Sequence, residues 1–413
     1  MFVAIRNSPR DYAWGSHTAI ADFRGVEPSG SPEAELWLGA HAGSPAEIAD
    51  PASAGAADLG ALVAADPDGT LGPALAREGA RLPFLLKVLA AARPLSLQAH
   101  PTPEQARAGF AREEAEGPSI DAFDRNYKDP YAKPELVVAV SETFEALSGF
   151  RPLEEVRGVL AVLRTADAAS DQPQPGALDL LAARLEGADP LREAVAWLLQ
   201  DGRGGDTGEA AWVIERVTAL AGSDAALASP YAASFRTVGD LAAEYPGDPG
   251  IVISLLLNRV TLRRGEALFL DAGNIHAYLS GLGIELMAAS DNVLRGGLTP
   301  KHIDIPELLE VLDFTAIAPP RLPAVQVSAA VVEYRPPVPD FTLYRVEGAA
   351  DAARVPLAGP AIVLAEGGPV DVTGAHGGIR LERGGSVFVT PDEGWLTLAG
   401  GGIAWIATTP VAG

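Results

Sequence analysis

The 413-residue chain contains no cysteine. Disulfides and thiolate metal sites are therefore excluded. Any bound metal must be held by histidine, carboxylate, amide or backbone oxygen. Positive charge is also scarce. Lysine and arginine number 31 against 54 acids, giving a net charge of −23. Such a field disfavours nucleic acid and anionic membrane as partners. It also repels an anionic small molecule unless a local group of cations offsets it. Only four of the cations are lysine: Lys87, Lys128, Lys133 and Lys301. Either chance left them there, or a compact ammonium is needed where a planar guanidinium does not fit. Long apolar runs are missing too, and none approaches the ~18 residues of a membrane span. Residues 1–14 hold charges and Pro9 in place of the apolar stretch of a signal peptide. A cytoplasmic chain is the expectation.

What is present points to more than one core, since 413 residues suggest two or three domains. Residues 2–5 read as a strand, and residues 33–39 alternate polar and apolar as a half-buried strand does. Residues 82–89 form an apolar run with Lys87 set into it, and a buried lysine needs a partner or a task. Thr102, Pro103 and Glu104 mark a helix start by cap, first-turn proline and acid. Residues 152–250 change character, with Leu153, Val156, Val159, Leu160 and Leu163 at helical spacing and a second start at Asp189–Pro190. Strands return from Ile251 onward. Residues 381–389 echo residues 262–270 at Leu, Arg, Gly and Phe, which is consistent with two related barrels or with a turn signal that arose twice.

The candidate chemistry begins at residues 95–100. A strand there puts Ser96, Gln98 and His100 on one face. Burying three polar groups without partners is costly. A metal ion would be one such partner; a wet, half-exposed face is the plain alternative. Glu135 ends a polar loop at the mouth of an apolar strand, residues 136–140. His276 follows a Gly-containing turn, with Tyr278 on the same face. Glu285 sits in another strand, and residues 290–301 form a loop carrying Asp291, Arg295 and Lys301.

Several blocks together resemble type I mannose-6-phosphate isomerases. They are residues 12–15 (Tyr-Ala-Trp-Gly), 34–41, 83–89, 96–101 (Ser-Leu-Gln-Ala-His-Pro), 133–135 (Lys-Pro-Glu), 144–152, 276–278 (His-Ala-Tyr) and 290–301. They follow the order seen in that family. The resemblance implies a mainly β fold, a cupin-like (jelly-roll) double β-barrel with a helical insertion. The implied division is residues 1–151 plus 251–315 for a catalytic barrel, 152–250 for the insertion and 316–413 for a C-terminal barrel. It also implies one zinc ion, with Gln98, His100, Glu135 and His276 as ligands. The implied reaction interconverts D-mannose 6-phosphate and D-fructose 6-phosphate through a cis-enediolate. Arg295 is then expected near the reacting carbons, with Glu285, Asp291 and Lys133 as further catalytic candidates. Lys87, Lys301, Tyr278, Ser96 and Trp14 are expected to bind substrate, and core packing is an equal alternative for Trp14. The only partner implied is a sugar phosphate, and a monomer is favoured.

One departure stands out. Relatives commonly carry a histidine before the lysine of the Lys-Pro-Glu block; here it is Ala132, so the proton-transferring base is left open. His302 follows Lys301 where a tyrosine is expected. Two rival readings are an iron oxygenase using His100, His276 and Glu135, and a non-catalytic sugar-phosphate-binding protein.

Overall fold

The computed structural model describes residues 1–203, 207–348 and 352–411. The apolar runs become strands β1 (Phe2–Arg6), β2 (Glu35–Leu38), β3 (Glu47–Ile48), β4 (Phe84–Ala91), β5 (Leu97–Ala99), β6 (Glu135–Ala139), β7 (Thr143–Phe150), β8 (Leu257–Arg263), β9 (Ala267–Leu270), β10 (His276–Ala288) and β11 (Leu294–Gly297). A short β12 (Arg321–Leu322) pairs with β9. Apart from β1 and β3, these twelve form one antiparallel sheet system.

Strand β10 organises this sheet. Its residues 276–280 pair with β5 and β7, and its residues 281–288 pair with β4 and β6. The register shifts between Tyr278 and Ser280. Gly281 follows at φ 122°, and a Cβ there would lie 2.9 Å from both Phe144 Cα and Thr143 O. Only glycine fits that bend. One strand thus crosses from one wall of a barrel to the other.

Burial explains the composition of the walls. Leu89, Val137, Phe144, Leu268 and Tyr278 meet inside the barrel as an apolar floor. Outside, Leu86, Val88, Leu136 and Ile284 pack against Ile362, Leu364, Phe388 and Trp405 of the C-terminal sheet. Strand β4 is therefore buried on both faces and reads as a nearly unbroken apolar run. Its five large apolar side chains contribute roughly 1.5–3 kcal/mol each, enough to outweigh the several kcal/mol of dehydrating Lys87.

The opposite outer wall, with Leu97, Leu147 and Ala277, is covered by Leu163, Leu198, Val217 and Leu241 of the helical segment. That segment runs through helices Leu153–Ala168, Pro175–Arg184, Pro190–Asp201, Glu209–Ala221 and Ala232–Glu244. The Thr102 start closes as a full capping box with Gln105. Asp189 precedes its helix as expected but does not cap it; its carboxylate pairs with Arg192 instead, at 3.5 Å.

The remaining strands form a second barrel of jelly-roll type. One sheet runs Val325–Ser328, Val331–Tyr334, Thr342–Glu347, Ile403–Thr408, Ala361–Glu366, Ser386–Val389, β1, β3. The other holds Ala353–Pro356, Trp395–Gly400, Val370–Thr373 and Gly378–Leu381, with Val363, Val372, Leu396 and Ile406 between the sheets. The first strand of the chain thus completes the last barrel, with Phe2 opposite Val389. The sequence echo is visible as well. Gly265 and Gly384 both take left-handed turn positions, at φ 83° and 74°, just before their strands. The fold is the mainly β, cupin-like double barrel with a helical insertion that the sequence implies.

Candidate active site

Three adjacent strands assemble the polar end of the first barrel. On β10, His276 lies directly opposite Gln98 of β5, and on the other side of β5 Arg295 of β11 lies opposite the same residue. Facing residues of an antiparallel ladder point to one side, so Gln98, His276 and Arg295 share a face. His100 follows just beyond β5, and Glu135 opens β6.

His100, Glu135 and His276 are buried and bring ligand atoms within 4.8 Å of one another. Each imidazole donates its Nδ1–H to a backbone carbonyl: His100 to Asn292 O at 2.8 Å, His276 to Asn274 O at 3.0 Å. A carbonyl only accepts, so the bare Nε2 of each ring faces inward. Both point at Glu135, at 3.2 and 3.5 Å. His100 Nε2, His276 Nε2 and Glu135 Oε2 have no hydrogen-bond partner. Acceptors converging on acceptors away from water are costly. Burial pulls His100 down to about 4 against the attraction of Glu135, so that ring takes up no proton at neutral pH. Burial favours the neutral form of Glu135 as well, but the Lys133 ammonium works the other way and the Glu135 pKa stays well below the usual carboxylate range. Two imidazole nitrogens and a carboxylate, with the Gln98 amide alongside, suit a zinc ion with a position left for substrate.

In front of this cluster lies a cavity of about 470 Å³. Trp14, Lys87, Ser96, Gln98, Lys133, Glu135, Tyr278, Glu285, Asp291, Arg295 and Lys301 all line it. The cations divide into two kinds. Lys87 sits 2.9 Å from Glu285 and 3.6 Å from Glu35, over the Trp37 ring at 5.1 Å. Burial alone would lower its pKa, but Glu285 and Glu35 more than reverse that and keep it an ammonium. Burial raises the Glu285 carboxyl, with Lys87 opposing. Lys133 pairs with Glu135 at 3.4 Å. Arg295 and Lys301, by contrast, have no ion-pair partner among the described residues. Burial lowers the pKa of both, and Arg295 lowers that of Lys301 further. These two cations call for an anion.

Other candidates are more constrained. Asp291 accepts from His41 Nε2 at 3.2 Å, which holds its pKa down although burial works the other way. The Tyr278 hydroxyl is buried without a partner; burial, then Glu285, raises its pKa. Trp14 stacks on Tyr12 and packs against the apolar floor while lining the cavity, so both readings of it hold. Lys128 lies elsewhere and binds the carbonyls of Ile120 and Ala122. His302 rests against the exposed Phe123 ring. The Ala132 position offers no titratable group.

The sequence reading assigned no role to Glu35, Trp37, His41, Asn292 or Tyr245. Glu35 and Trp37 carried a signal, being the polar and aromatic members of one face of an alternating strand. Tyr245 comes from the helical segment, and its hydroxyl donates to Pro94 O at 2.9 Å.

Residues 2–153 match the family described as phosphomannose isomerase type I, catalytic domain. Mannose-6-phosphate isomerase of Escherichia coli (strain K12) is 42% identical over 339 residues, 81% of each chain. The chain belongs to the type I phosphomannose isomerase family. The human mannose-6-phosphate isomerase is 33% identical over 365 residues, 82% of this chain and 80% of that one. Among solved structures, a lysine-to-alanine mutant of phosphomannose isomerase from Salmonella typhimurium superposes with a TM-score of 0.86 at 33% identity, covering 99% of this chain and 100% of that one. A zinc-bound mannose 6-phosphate isomerase gives the same TM-score, identity and coverage.

Proposed function

We propose that this phosphomannose isomerase interconverts D-mannose 6-phosphate and D-fructose 6-phosphate with one zinc ion per chain. The observation that carries the reading is a group of three orphaned buried acceptors, one of them on Glu135 at the wall of a cavity that two unpaired cations also line. Gln98, His100, Glu135 and His276 would hold the zinc, which when bound supplies Lewis-acid polarisation of the sugar oxygens. Arg295 and Lys301 take the phosphate, and Arg295, opposite Gln98 in the ladder, also offsets negative charge that develops on the enediolate oxygens.

The reaction moves one proton between C2 and C1, so one base must reach both carbons. Glu285 is assigned this task. Its raised pKa suits a group that both takes and returns a proton, and Lys87 beside it holds the charge of the basic form. Asp291 is the second candidate; its tie to His41 keeps it ionised. Lys133 balances Glu135, the unpartnered Tyr278 hydroxyl donates to a sugar oxygen, and Ser96 and Trp14 shape the wall. A single chain supplies every group, so a monomer suffices. We place it in the cytoplasm, where phosphorylated sugars are found.

The deciding assay is fructose 6-phosphate formation from mannose 6-phosphate before and after chelation, then with zinc restored. Activity lost to chelator and recovered with zinc is expected. A zinc-loaded chain with no turnover would overturn the reading.

A further inference from the structure

The segment that joins Arg295 of β11 to Lys301 contains a backbone outlier. Leu298 sits at φ 54°, one of two non-glycine residues at positive φ among the described residues. A left-handed leucine is unfavourable on its own and persists only when its surroundings impose it. Gly297 precedes it at φ 131°, where a Cβ would come within 2.9 Å of Asp248 Oδ1. That carboxylate belongs to the end of the helical segment. Its Oδ1 accepts from Leu298 N–H at 2.8 Å and from Gly250 N–H at 2.8 Å. Its Oδ2 pairs with Arg203 at 3.1 Å, and Arg203 also donates to Thr299 O at 3.0 Å. Leu298, Thr299, Pro300 and Lys301 line the cavity immediately beyond.

We infer that Asp248, braced by Arg203, is a positioning residue that fixes the phosphate-binding loop from the helical segment. Neither residue belongs to the metal cluster or to the Lys87–Glu285 pair. Their action falls on residues 297–301, the segment that carries Lys301, which with Arg295 waits for an anion. The inference rests on the phosphate role proposed for those two cations. Releasing the brace lets residues 297–301 relax toward ordinary backbone and spreads Lys301 over many positions, while Arg295 stays held in the ladder opposite Gln98. Phosphate recognition then weakens, while the chemistry at the metal end is spared.

The test measures kcat, KM and the inhibition constant of inorganic phosphate for zinc-loaded Asp248→Ala, Asp248→Asn, Arg203→Ala and Lys301→Met. In Asp248→Ala, KM and the phosphate constant should rise together about tenfold, with kcat within about twofold and zinc still bound. Asp248→Asn, whose amide oxygen still accepts both N–H groups, should recover most of the loss. A phosphate constant unchanged in Asp248→Ala, but raised in Lys301→Met, overturns the positioning role and leaves the phosphate site standing. A constant unchanged in Lys301→Met overturns both. Should Asp248→Ala fail to fold, Arg203→Ala decides: a parallel rise of KM and the phosphate constant supports the brace, and no change refutes it.

Discussion

Arg295 and Glu135 lie in the same cavity yet are asked for different things, and single substitutions separate them. Glu135→Ala removes the one carboxylate among three converging acceptors. Zinc content should fall from one per chain to near zero, with activity down at least a hundredfold, as several kcal/mol of Lewis-acid stabilisation implies. Arg295→Ala leaves those donors untouched. It should keep zinc and lose turnover by a factor of about 10² to 10³. Metal analysis beside steady-state rates distinguishes the two, and a fully active Arg295→Ala would remove that residue from the mechanism. Lys301 adds a pH dependence. Its folded pKa lies below 10.5 because of burial and then Arg295. Above 10.5 both folded and unfolded chains carry the neutral amine. As pH falls below 10.5 the unfolded chain takes up the proton first, so Lys301 costs the substrate-free fold stability that is not regained at neutral pH. Lys301→Met should therefore raise the urea midpoint at pH 7 while it raises KM. In the wild type a bound phosphate restores the proton, so KM should climb with alkaline pH. That climb should be absent in Lys301→Met.

Strand β10 is the element on which the site depends, because it carries His276 on one side of its bend and Glu285 on the other. Gly281→Ala places a Cβ 2.9 Å from the Phe144 backbone at a positive φ. The change should cost about 1–3 kcal/mol, read as a lower urea midpoint. It should also weaken zinc binding, since His276 shifts against His100 and Glu135. Unchanged zinc affinity would show that the two halves of β10 are independent. Individual elements were readable in the sequence wherever the signal was local. The two-residue period alone aligned Ser96, Gln98 and His100, and the apolar run after Glu135 fixed that carboxylate at a strand mouth. Pairings between distant segments were not readable. Glu35 reaches Lys87 only because β2 lies beside β4 in one register, and Asp291 meets His41 across 250 positions. Nothing local to residues 2–6 announces that β1 will lie beside Ser386–Val389. The sequence placed Arg295 near the reacting carbons and Lys301, with Lys87, among the substrate-binding residues. What set Arg295 and Lys301 apart from Lys87 and Lys133 was the absence of acid partners, which only the assembled cavity displays.

The whole molecule sets a conflict that the site resolves locally. A chain of net charge −23 must capture a dianionic substrate. Long-range repulsion acts over about a Debye length, ~30 Å at 0.01 M and ~10 Å at 0.1 M monovalent salt. The attraction from Arg295 and Lys301 acts at contact inside a cavity, where screening is weaker. Adding potassium chloride from 0.01 to 0.1 M should therefore remove more repulsion than attraction. The expected result is a rise in kcat/KM for mannose 6-phosphate of roughly two- to fivefold, with kcat nearly constant. Most acidic or basic enzymes that act on oppositely charged ligands respond the other way, with association slowed by salt. A fall in kcat/KM over this range would mean that the cavity cations, and not the acidic surface, govern the approach of substrate. Neutralising several surface acids far from the cavity should mimic the effect of salt, raising kcat/KM at 0.01 M and flattening its salt dependence. If neither manipulation changes kcat/KM, the negative field does not extend to the mouth of the cavity, and Arg295 with Lys301 has already cancelled it there.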